Sequence, residues 1–199
     1  MERKIIAKFD ISVDGFIEGP NGEMDLVDAE DEESWKYMFE MLSPVDTFIL
    51  GRKMYPGYEQ YWLAVLADSG GILPFSGRVA SKNEITFARL ADKTPHIVLS
   101  KTLDKVSWKT TRIVRDMEEI RKMKQHSGKD IYAVGGAMLI SSLMNLGLID
   151  ELQLFVHPLI LGGGKALFKD VKERQSLKLT GAKPLKSGKV ILTYSTPRS

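Results

Sequence analysis

The sequence predicts an α/β domain built on a mainly parallel sheet, and three observations support this prediction. Apolar stretches typical of strands alternate along the chain with segments of helical periodicity, which is the order that βαβ units produce. The last two predicted strands, 177–180 and 190–194, flank Lys186-Ser187-Gly188 and are expected to form an antiparallel hairpin. The chain has 199 residues without a repeat or linker, so a single domain covering 1–199 is expected.

The first half of the chain opens with a strand at 4–13, where apolar side chains occupy alternate positions as in a half-buried strand. Apolar residues between Trp35 and Leu42 then fall at helical spacing. A short apolar strand at 47–50 leads into Gly51 and a helix that Pro56-Gly57 is expected to interrupt. Further along, the pattern predicts a loop at 68–78, a helix at 79–90 and strands at 96–99 and 111–114.

In the second half of the chain, the residue pattern predicts a strand at 130–134 that runs directly into Gly135-Gly136. A helix at 137–146 follows, and Gly147 stands where a helix C-cap is expected. An antiparallel tail is expected from 150–156 onward. The pattern also places a helix at 116–125, before the glycine-ended strand.

Composition excludes several classes of protein. The chain has no cysteine, which excludes disulfides and thiolate metal sites and fits a reducing cytoplasm. No apolar stretch approaches the ~20 residues that span a bilayer, and the N-terminus lacks a cleavable secretion signal. A cytoplasmic protein without a membrane anchor is therefore expected.

Charge is unevenly distributed along the chain. Residues 1–50 carry 13 acidic and 4 basic side chains, a net −9, whereas the remainder is +11. No cluster of lysine and arginine is interleaved with aromatics as a single-strand nucleic-acid platform requires. A small phosphorylated ligand suits this balance better than a nucleic acid.

Three predicted strands end in glycine or in polar and cationic residues. Gly135-Gly136 joins a strand to a helix, where free backbone N–H groups and the helix dipole favour an anion. Gly51-Arg52 has the same placement, and Ser100-Lys101 follows the strand at 96–99. Each feature alone is explained by a tight turn or a surface cation. Parallel strands, however, bring their carboxyl ends to one edge of the sheet, and this is the edge where α/β proteins bind ligands.

Other motifs give weaker indications or fail. Gly162-Gly163-Gly164-Lys165 lacks the earlier glycine and the following Ser or Thr of a phosphate loop, so a turn is the preferred interpretation and a cleft-lining connection the alternative. His96, His126 and His157 lie in unrelated segments without metal-ligand spacing, and no metal site is predicted. No nucleophile elbow is present.

The acidic stretch 23–33 holds seven carboxylates in eleven positions. Most are explained by a solvated helix start, because carboxylates favour a helix N-terminus. Counting back from Trp35 by three and four gives Glu32 and Asp31, which lie nearest the inward face. Either carboxylate is a candidate proton donor, or an anchor for an amino-heterocycle.

Taken together, these segments resemble the dihydrofolate-reductase-like superfamily, specifically the C-terminal reductase domain of the riboflavin-biosynthesis protein RibD. Nearly the whole chain takes part, and order and spacing agree. The corresponding segments are Ser12-Val13-Asp14-Gly15-Phe16-Ile17, Phe48 to Tyr55, Val98 to Leu103, Ile131 to Met138, Gly147 to Leu152 and Pro158 to Gly164.

The resemblance implies a three-layer fold with helices on both faces of the sheet, and NADPH as hydride donor. It implies cofactor contacts at Ala7, Gly51, Arg52, Lys53, Ser100, Lys101, Gly135, Gly136 and Ala137. Ala7 would face the nicotinamide, and Ser100-Lys101 the 2′-phosphate. Lys101 stands where relatives often have arginine, so preference for NADPH over NADH is less firmly implied. Met54 replaces a frequent hydroxyl residue and removes one phosphate contact.

Two functions follow as hypotheses. The first is an NADPH-dependent reductase of a pyrimidine or pterin-type compound, such as the ribosylaminopyrimidinone of riboflavin synthesis, with Asp31 or Glu32 as the acid. The second is a nucleotide-binding or dimerisation module without turnover, which gains support if neither carboxylate faces the cleft. A homodimer is expected in both cases, because the late strands are apolar enough to need cover.

Overall fold

A computed structural model describes residues 2–23, 26 and 30–196. Eight strands form one sheet in the order β5-β4-β3-β6-β1-β7-β10-β9, and two short strands, β2 and β8, form a separate ribbon. The strands are β1 Ile5–Ser12, β2 Phe16–Glu18, β3 Val45–Gly51, β4 His96–Leu99, β5 Thr111–Val114, β6 Asp130–Gly135, β7 Glu151–His157, β8 Lys165–Ala166, β9 Lys178–Pro184 and β10 Val190–Ser195. The helices are α1 Glu32–Leu42, α2 Tyr55–Ala67, α3 Lys82–Lys93, α4 Met117–Gln125 and α5 Ala137–Asn145.

The predicted α/β architecture is confirmed. Every neighbouring pair from β5 to β7 is parallel, and β10 pairs antiparallel with both β7 and β9. Helices α4 and α5 pack on one face of the sheet, and α1, α2 and α3 pack on the other. None of the helices in the described part of the chain combines the length and apolarity needed to cross a bilayer.

Strand β1 lies at the centre of the sheet, between β6 and β7, and this corrects the prediction of a half-buried strand. Its alternate apolar residues from Ile5 to Ile11 face the core beneath α5, as the period indicates. The intervening Lys8 and Asp10 are not at the surface, because α1 covers their face. Their side chains are only 13 % and 16 % exposed.

Two helices begin differently from the prediction. Pro56 was expected to interrupt its helix, but it lies in the first turn of α2, where a missing backbone N–H costs no hydrogen bond. Helix α3 begins after Ser81 with a capping box, in which Ser81 and Glu84 each accept a hydrogen bond from the other's backbone N–H. The predicted start at residue 79 is therefore three residues early.

The predicted C-cap of α5 is confirmed. Gly147 has φ +63°, its N–H donates to the carbonyl of Met144, and the N–H of Leu148 donates to the carbonyl of Leu143. This pair of bonds is the Schellman arrangement, which places glycine where a side chain would be strained.

Strand β7 corrects the prediction of an antiparallel tail, because it runs parallel to β1 along seven paired positions and only β10 reverses direction. The ribbon of β2 and β8 was not predicted. It holds the 162–164 glycine turn beside residues 18–20, where Gly164 has no room for a Cβ atom: the backbone oxygen of Glu18 would lie 2.0 Å from it.

Candidate functional site at the carboxyl edge of the sheet

The structure brings two of the predicted glycine segments together at the carboxyl edge of the parallel strands. Gly51 ends β3 and Gly135 ends β6, which is the neighbouring strand. A Cβ atom on Gly51 would lie 3.7 Å from the carbonyl oxygen of Gly135. Gly135 has φ +129°, and a Cβ atom added there would contact Met54 and Phe9. The backbone conformation and the packing therefore both require glycine at this position.

Gly136 has no such structural explanation. It is the N-cap of α5, with φ −81°, a conformation open to any residue, and a Cβ atom there would meet nothing within 4 Å. The preceding peptide bond is cis. Among the described residues no side chain caps α5, so no side chain accepts from its first backbone N–H groups. Ala137, the first residue of the helix, is itself buried, so any ligand contact from it comes through the backbone.

Three cationic residues follow strand ends at the same edge of the sheet. Helix α2 also starts without a side-chain cap, directly after Arg52 and Lys53. Both side chains are exposed, as is that of Lys101, and within the described ranges none of the three has an ion pair. An anion at this edge would therefore meet charges that the protein does not neutralise internally.

The turn after β4 is held by its own hydrogen bonds. The Oγ of Ser100 accepts from the backbone N–H of Thr102 at 3.2 Å and of Leu103 at 2.9 Å. Arg115, just past the end of β5, donates to the carbonyls of Ser100 and Leu103 at 2.9 and 2.6 Å. The hydroxyl of Ser100 thus fixes the turn that presents Lys101.

Ala7 does not lie at this edge. It is fully buried in the middle of β1, paired with Ala133 on one side and Leu152 on the other, and its side chain packs under α5. Any contact from Ala7 to a ligand would therefore come through its backbone.

A buried polar cluster lies on the α1 face of the sheet. The ammonium of Lys8 pairs with the carboxylate of Asp10, and Nε2 of His157 lies 2.9 Å from the other oxygen of that carboxylate. The Nζ of Lys8 also sits 4.4 Å from the ring centroid of Phe155. Burial works to raise the pKa of Asp10, but Lys8 and His157 outweigh it, so the pKa is lowered and the carboxylate is ionised at neutral pH.

Asp31 is the N-cap of α1 and reaches the same edge, but its carboxylate is already fully bonded. It accepts from the backbone N–H of Ser34 at 3.1 Å and pairs with Lys189 at 2.7 Å, both side chains being buried. Burial opposes ionisation, yet the bonds from Lys189 and Ser34 lower the pKa of Asp31 to about 2. An ionised carboxylate has no proton to give, so these contacts favour a structural role.

Glu32 points elsewhere. It is exposed and lines a groove of about 650 Å³ with Phe39, Glu40 and Asn83. None of the glycine-bearing strand ends lines this groove. Of the two predicted acids, only Asp31 therefore approaches the carboxyl edge. Asp25 and Asp28 of the acidic stretch lie outside the described residues.

Sequence reasoning missed Lys8, Asp10, His157 and Arg115. The signal for Arg115 was present, because it follows a strand as Arg52 does. For Lys8 and Asp10, the period-2 pattern indicated a solvated face, and nothing local reveals that α1 covers it. His157 lies 147 residues from Asp10, which no spacing rule connects.

Comparison with known proteins agrees with this fold. The chain is 34 % identical over 194 residues to the uncharacterized protein YyaP of Bacillus subtilis (strain 168), covering 97 % of this chain and 95 % of that one. A Shewanella sp. PV-4 protein named for riboflavin biosynthesis superposes with a TM-score of 0.68 at 20 % identity, over the full length of both chains.

Two further solved structures share the fold at low identity. One is the diaminohydroxyphosphoribosylaminopyrimidine deaminase/5-amino-6-(5-phosphoribosylamino)uracil reductase of Thermotoga maritima, with a TM-score of 0.64 at 14 % identity, covering 98 % of this chain and 57 % of that one. The other is dihydrofolate reductase from Enterococcus faecalis in complex with NADP(H), with a TM-score of 0.59 at 14 % identity, covering 98 % and 99 %.

The fold is thus the dihydrofolate-reductase-like fold that the sequence resemblance implied. The profile of the RibD C-terminal domain matches residues 3–192, which is nearly the whole chain. A chain with this match, this order of strands and these strand-end glycines belongs to the RibD C-terminal domain family.

Proposed function

We propose that the protein binds NADPH at the carboxyl edge of the sheet and uses it to reduce a small heterocycle. The observation that carries the proposal is Gly136, where the protein leaves open the space that a Cβ atom would fill, at an uncapped helix start. An anionic group fits there, because backbone N–H donors and a helix dipole stabilise negative charge. Arg52, Lys53 and Lys101 supply the matching cations.

The substrate class we propose is a pyrimidine or pterin-type compound. Structural neighbours named as a uracil reductase and a dihydrofolate reductase support it. When bound, the cofactor would supply the hydride, and the protein's part would be to hold and orient both reactants. The ribosylaminopyrimidinone of riboflavin synthesis is the first compound to test.

A second candidate is a nucleotide-binding module without turnover. The ion pair of Asp31 with Lys189 and its role as the cap of α1 favour this candidate, because these contacts remove one of the predicted acids from the reaction. Glu32, the other predicted acid, faces the groove beside α3.

One assay separates the two candidates. NADPH binding is measured by calorimetry, and oxidation is followed by the loss of nicotinamide absorbance over a panel of folates, pterins and aminopyrimidines. A reductase binds NADPH and consumes it with at least one compound. A module binds it and consumes none. Failure to bind NADPH would contradict both.

Substitution of Gly136 tests the binding site itself. We expect Gly136→Val to weaken NADPH binding at least tenfold, about 1.4 kcal/mol, because its Cβ atom would stand in space that holds no protein atom within 4 Å. Gly70→Val is the matched control, since Gly70 is an exposed glycine in the loop after α2 and not at the end of a strand. Equal NADPH affinity for Gly136→Val and the parent would contradict the site.

We also propose that two copies pair through the end of the sheet formed by β7, β10 and β9. On the face opposite α1, Leu154, Val156 and Tyr194 remain only partly buried, and Leu179 on β9 is 53 % exposed. Within the described residues β9 pairs only with β10, so its outer edge is open. A second copy would cover both features.

Light scattering at micromolar concentration tests the pairing. We expect a mass twice that of one chain for the parent, and a lower mass for Leu179→Glu, which places a charge on the proposed contact. Glu173→Lys, an exposed charge change outside the sheet, is the control. A monomeric parent would contradict the dimer.

A further inference from the structure

His157 and Asp10 form a pair for which packing alone gives no reason. His157 is the last residue of β7 and only 7 % exposed, yet one nitrogen of its ring is bonded to a carboxylate. The other nitrogen, Nδ1, makes no hydrogen bond within the described ranges. Nδ1 of His96 also lacks a hydrogen bond, but it is fully buried, whereas Nδ1 of His157 is not among the fully buried atoms without a partner. One nitrogen is therefore held, while the other has no hydrogen-bond partner among the described residues.

The pair sits on the same edge as the proposed cofactor site. His157 lies opposite Ser12, the last residue of β1, and the β6 strand that carries Gly135 is the other neighbour of β1. Two strand spacings, ~10 Å, thus separate β7 from β6. A small substrate lying over the end of β1 would reach from one strand to the other.

The register also brings a second charged pair to this edge. Val190 is paired with Val156, so the preceding Lys189 falls opposite His157, on the same sheet face. Lys189 is neutralised by Asp31, as Lys8 is by Asp10. The titratable and charged groups around the Asp10–His157 pair are Lys8, Asp31, Tyr132 and Lys189. Each lysine already has a carboxylate partner, whereas Nδ1 of His157 has no partner among the described residues.

We infer that His157 donates the proton in the reduction and that Asp10 is its positioning residue, an inference that rests on the proposed reductase function. Reduction of a C=N bond adds one hydride to carbon and one proton to nitrogen. His157 would supply the proton through Nδ1 of its imidazolium, and bound NADPH would supply the hydride and be oxidised to NADP⁺. The neutral ring then regains a proton from water.

The chemistry of the cluster fits this role. Histidine is the side chain that gains and loses a proton most readily near neutral pH. An ionised carboxylate on one nitrogen fixes the ring's orientation and offsets its positive charge, as in other acid–base pairs. Asp31, by contrast, is deprotonated throughout this range.

The first test does not depend on turnover. The chain has three histidines, so nitrogen-15 spectra of their rings can be assigned with His96→Gln, His126→Gln and His157→Gln. We expect Nε2 of His157 to carry the proton that is donated to Asp10, which leaves Nδ1 as the nitrogen that faces a ligand. A ring that carries its proton on Nδ1 while Nε2 is bare would overturn the inference.

The second test uses the substrate found by the reductase assay. We expect His157→Gln to lower kcat by about 10²- to 10⁴-fold, because glutamine can bond Asp10 but cannot donate a proton to substrate. NADPH affinity should stay unchanged. Asp10→Asn should lower kcat less and alter its pH profile, and His126→Gln, on an exposed residue at the end of α4, should change neither.

The outcomes separate the two proposals. If the parent turns over and His157→Gln keeps the full rate, the proton donor is wrong and the reductase stands. If the parent consumes no NADPH, the reductase proposal fails, and the inference fails with it whatever the nitrogen-15 spectra show. Circular dichroism and unfolding curves of each variant show whether a lost rate reflects a lost fold.

Discussion

Removing the charge of Asp31 is expected to destabilise the protein by about 3 kcal/mol, because it leaves the ammonium of Lys189 buried without a partner. The two side chains are 7 % and 6 % exposed, and their atoms lie 2.7 Å apart. In Asp31→Asn the amide oxygen can still cap α1 by accepting from Ser34, so the loss reports the ion pair rather than the cap. Urea unfolding at neutral pH measures the change.

A double-mutant cycle makes this test sharper. Lys189→Met removes the stranded charge, so we expect Asp31→Asn combined with Lys189→Met to be more stable than Asp31→Asn alone. A change below about 0.5 kcal/mol in the single variant would show that the pair is solvated like a surface salt bridge. If Asp31→Asn were stable but lost turnover, the carboxylate would act on substrate after all.

The pH dependence of the same pair has a definite sign. The pKa of Asp31 is lowered from 3.8 to about 2, so its contribution is present above pH 3.8 and is lost as the pH falls through 2. The pair therefore stabilises the fold at every pH at which the reductase assay would be run.

Mild acid is expected to weaken the fold by about 2 kcal/mol at pH 5 through a different residue, His96. The His96 ring is fully buried, stacked on Trp108 at 4.8 Å and packed against the edge of Phe48. Its Nε2 lies 3.1 Å from the hydroxyl of Tyr58. Burial lowers the pKa of His96 from 6.5 to about 4, because it outweighs the opposing effects of the Thr94 backbone and of Asp92.

The sign follows from which state binds the proton first. Below pH 6.5 the unfolded chain protonates this histidine, whereas the folded protein resists until about pH 4. The unfolded state is therefore stabilised relative to the folded state as the pH falls through this window, and the free energy of unfolding decreases.

Urea unfolding at pH 7 and pH 5 checks the prediction. His96→Gln can keep the bond to Tyr58 but does not titrate, so we expect it to lose most of the difference in stability between the two pH values. His126→Gln removes an exposed histidine and should keep the parent's difference. The same pH response in His96→Gln and the parent would show that other groups cause the acid sensitivity.

The sequence by itself determined most of the elements and their order, although not the β2–β8 ribbon. Alternating apolar residues identified β1, helical spacing identified α1, and Gly147 identified the end of α5, because each pattern reflects the local geometry of one element. It also predicted that the strand-end glycines meet, since parallel strands deliver their carboxyl ends to one edge. Local periodicity and one topological rule were sufficient for these conclusions.

Only the tertiary structure decided what the charged residues do. Lys8 and Asp10 have the spacing of a solvated strand face, yet α1 buries them, and His157 reaches Asp10 only because β7 pairs with β1. The sequence around Asp31 is compatible with a helix cap and with a proton donor. The ion pair with Lys189, which comes from the distant hairpin, holds Asp31 ionised in a structural role. Periodicity describes where a residue lies on its own element, whereas its partners and its charge state are set by the elements that pack against it.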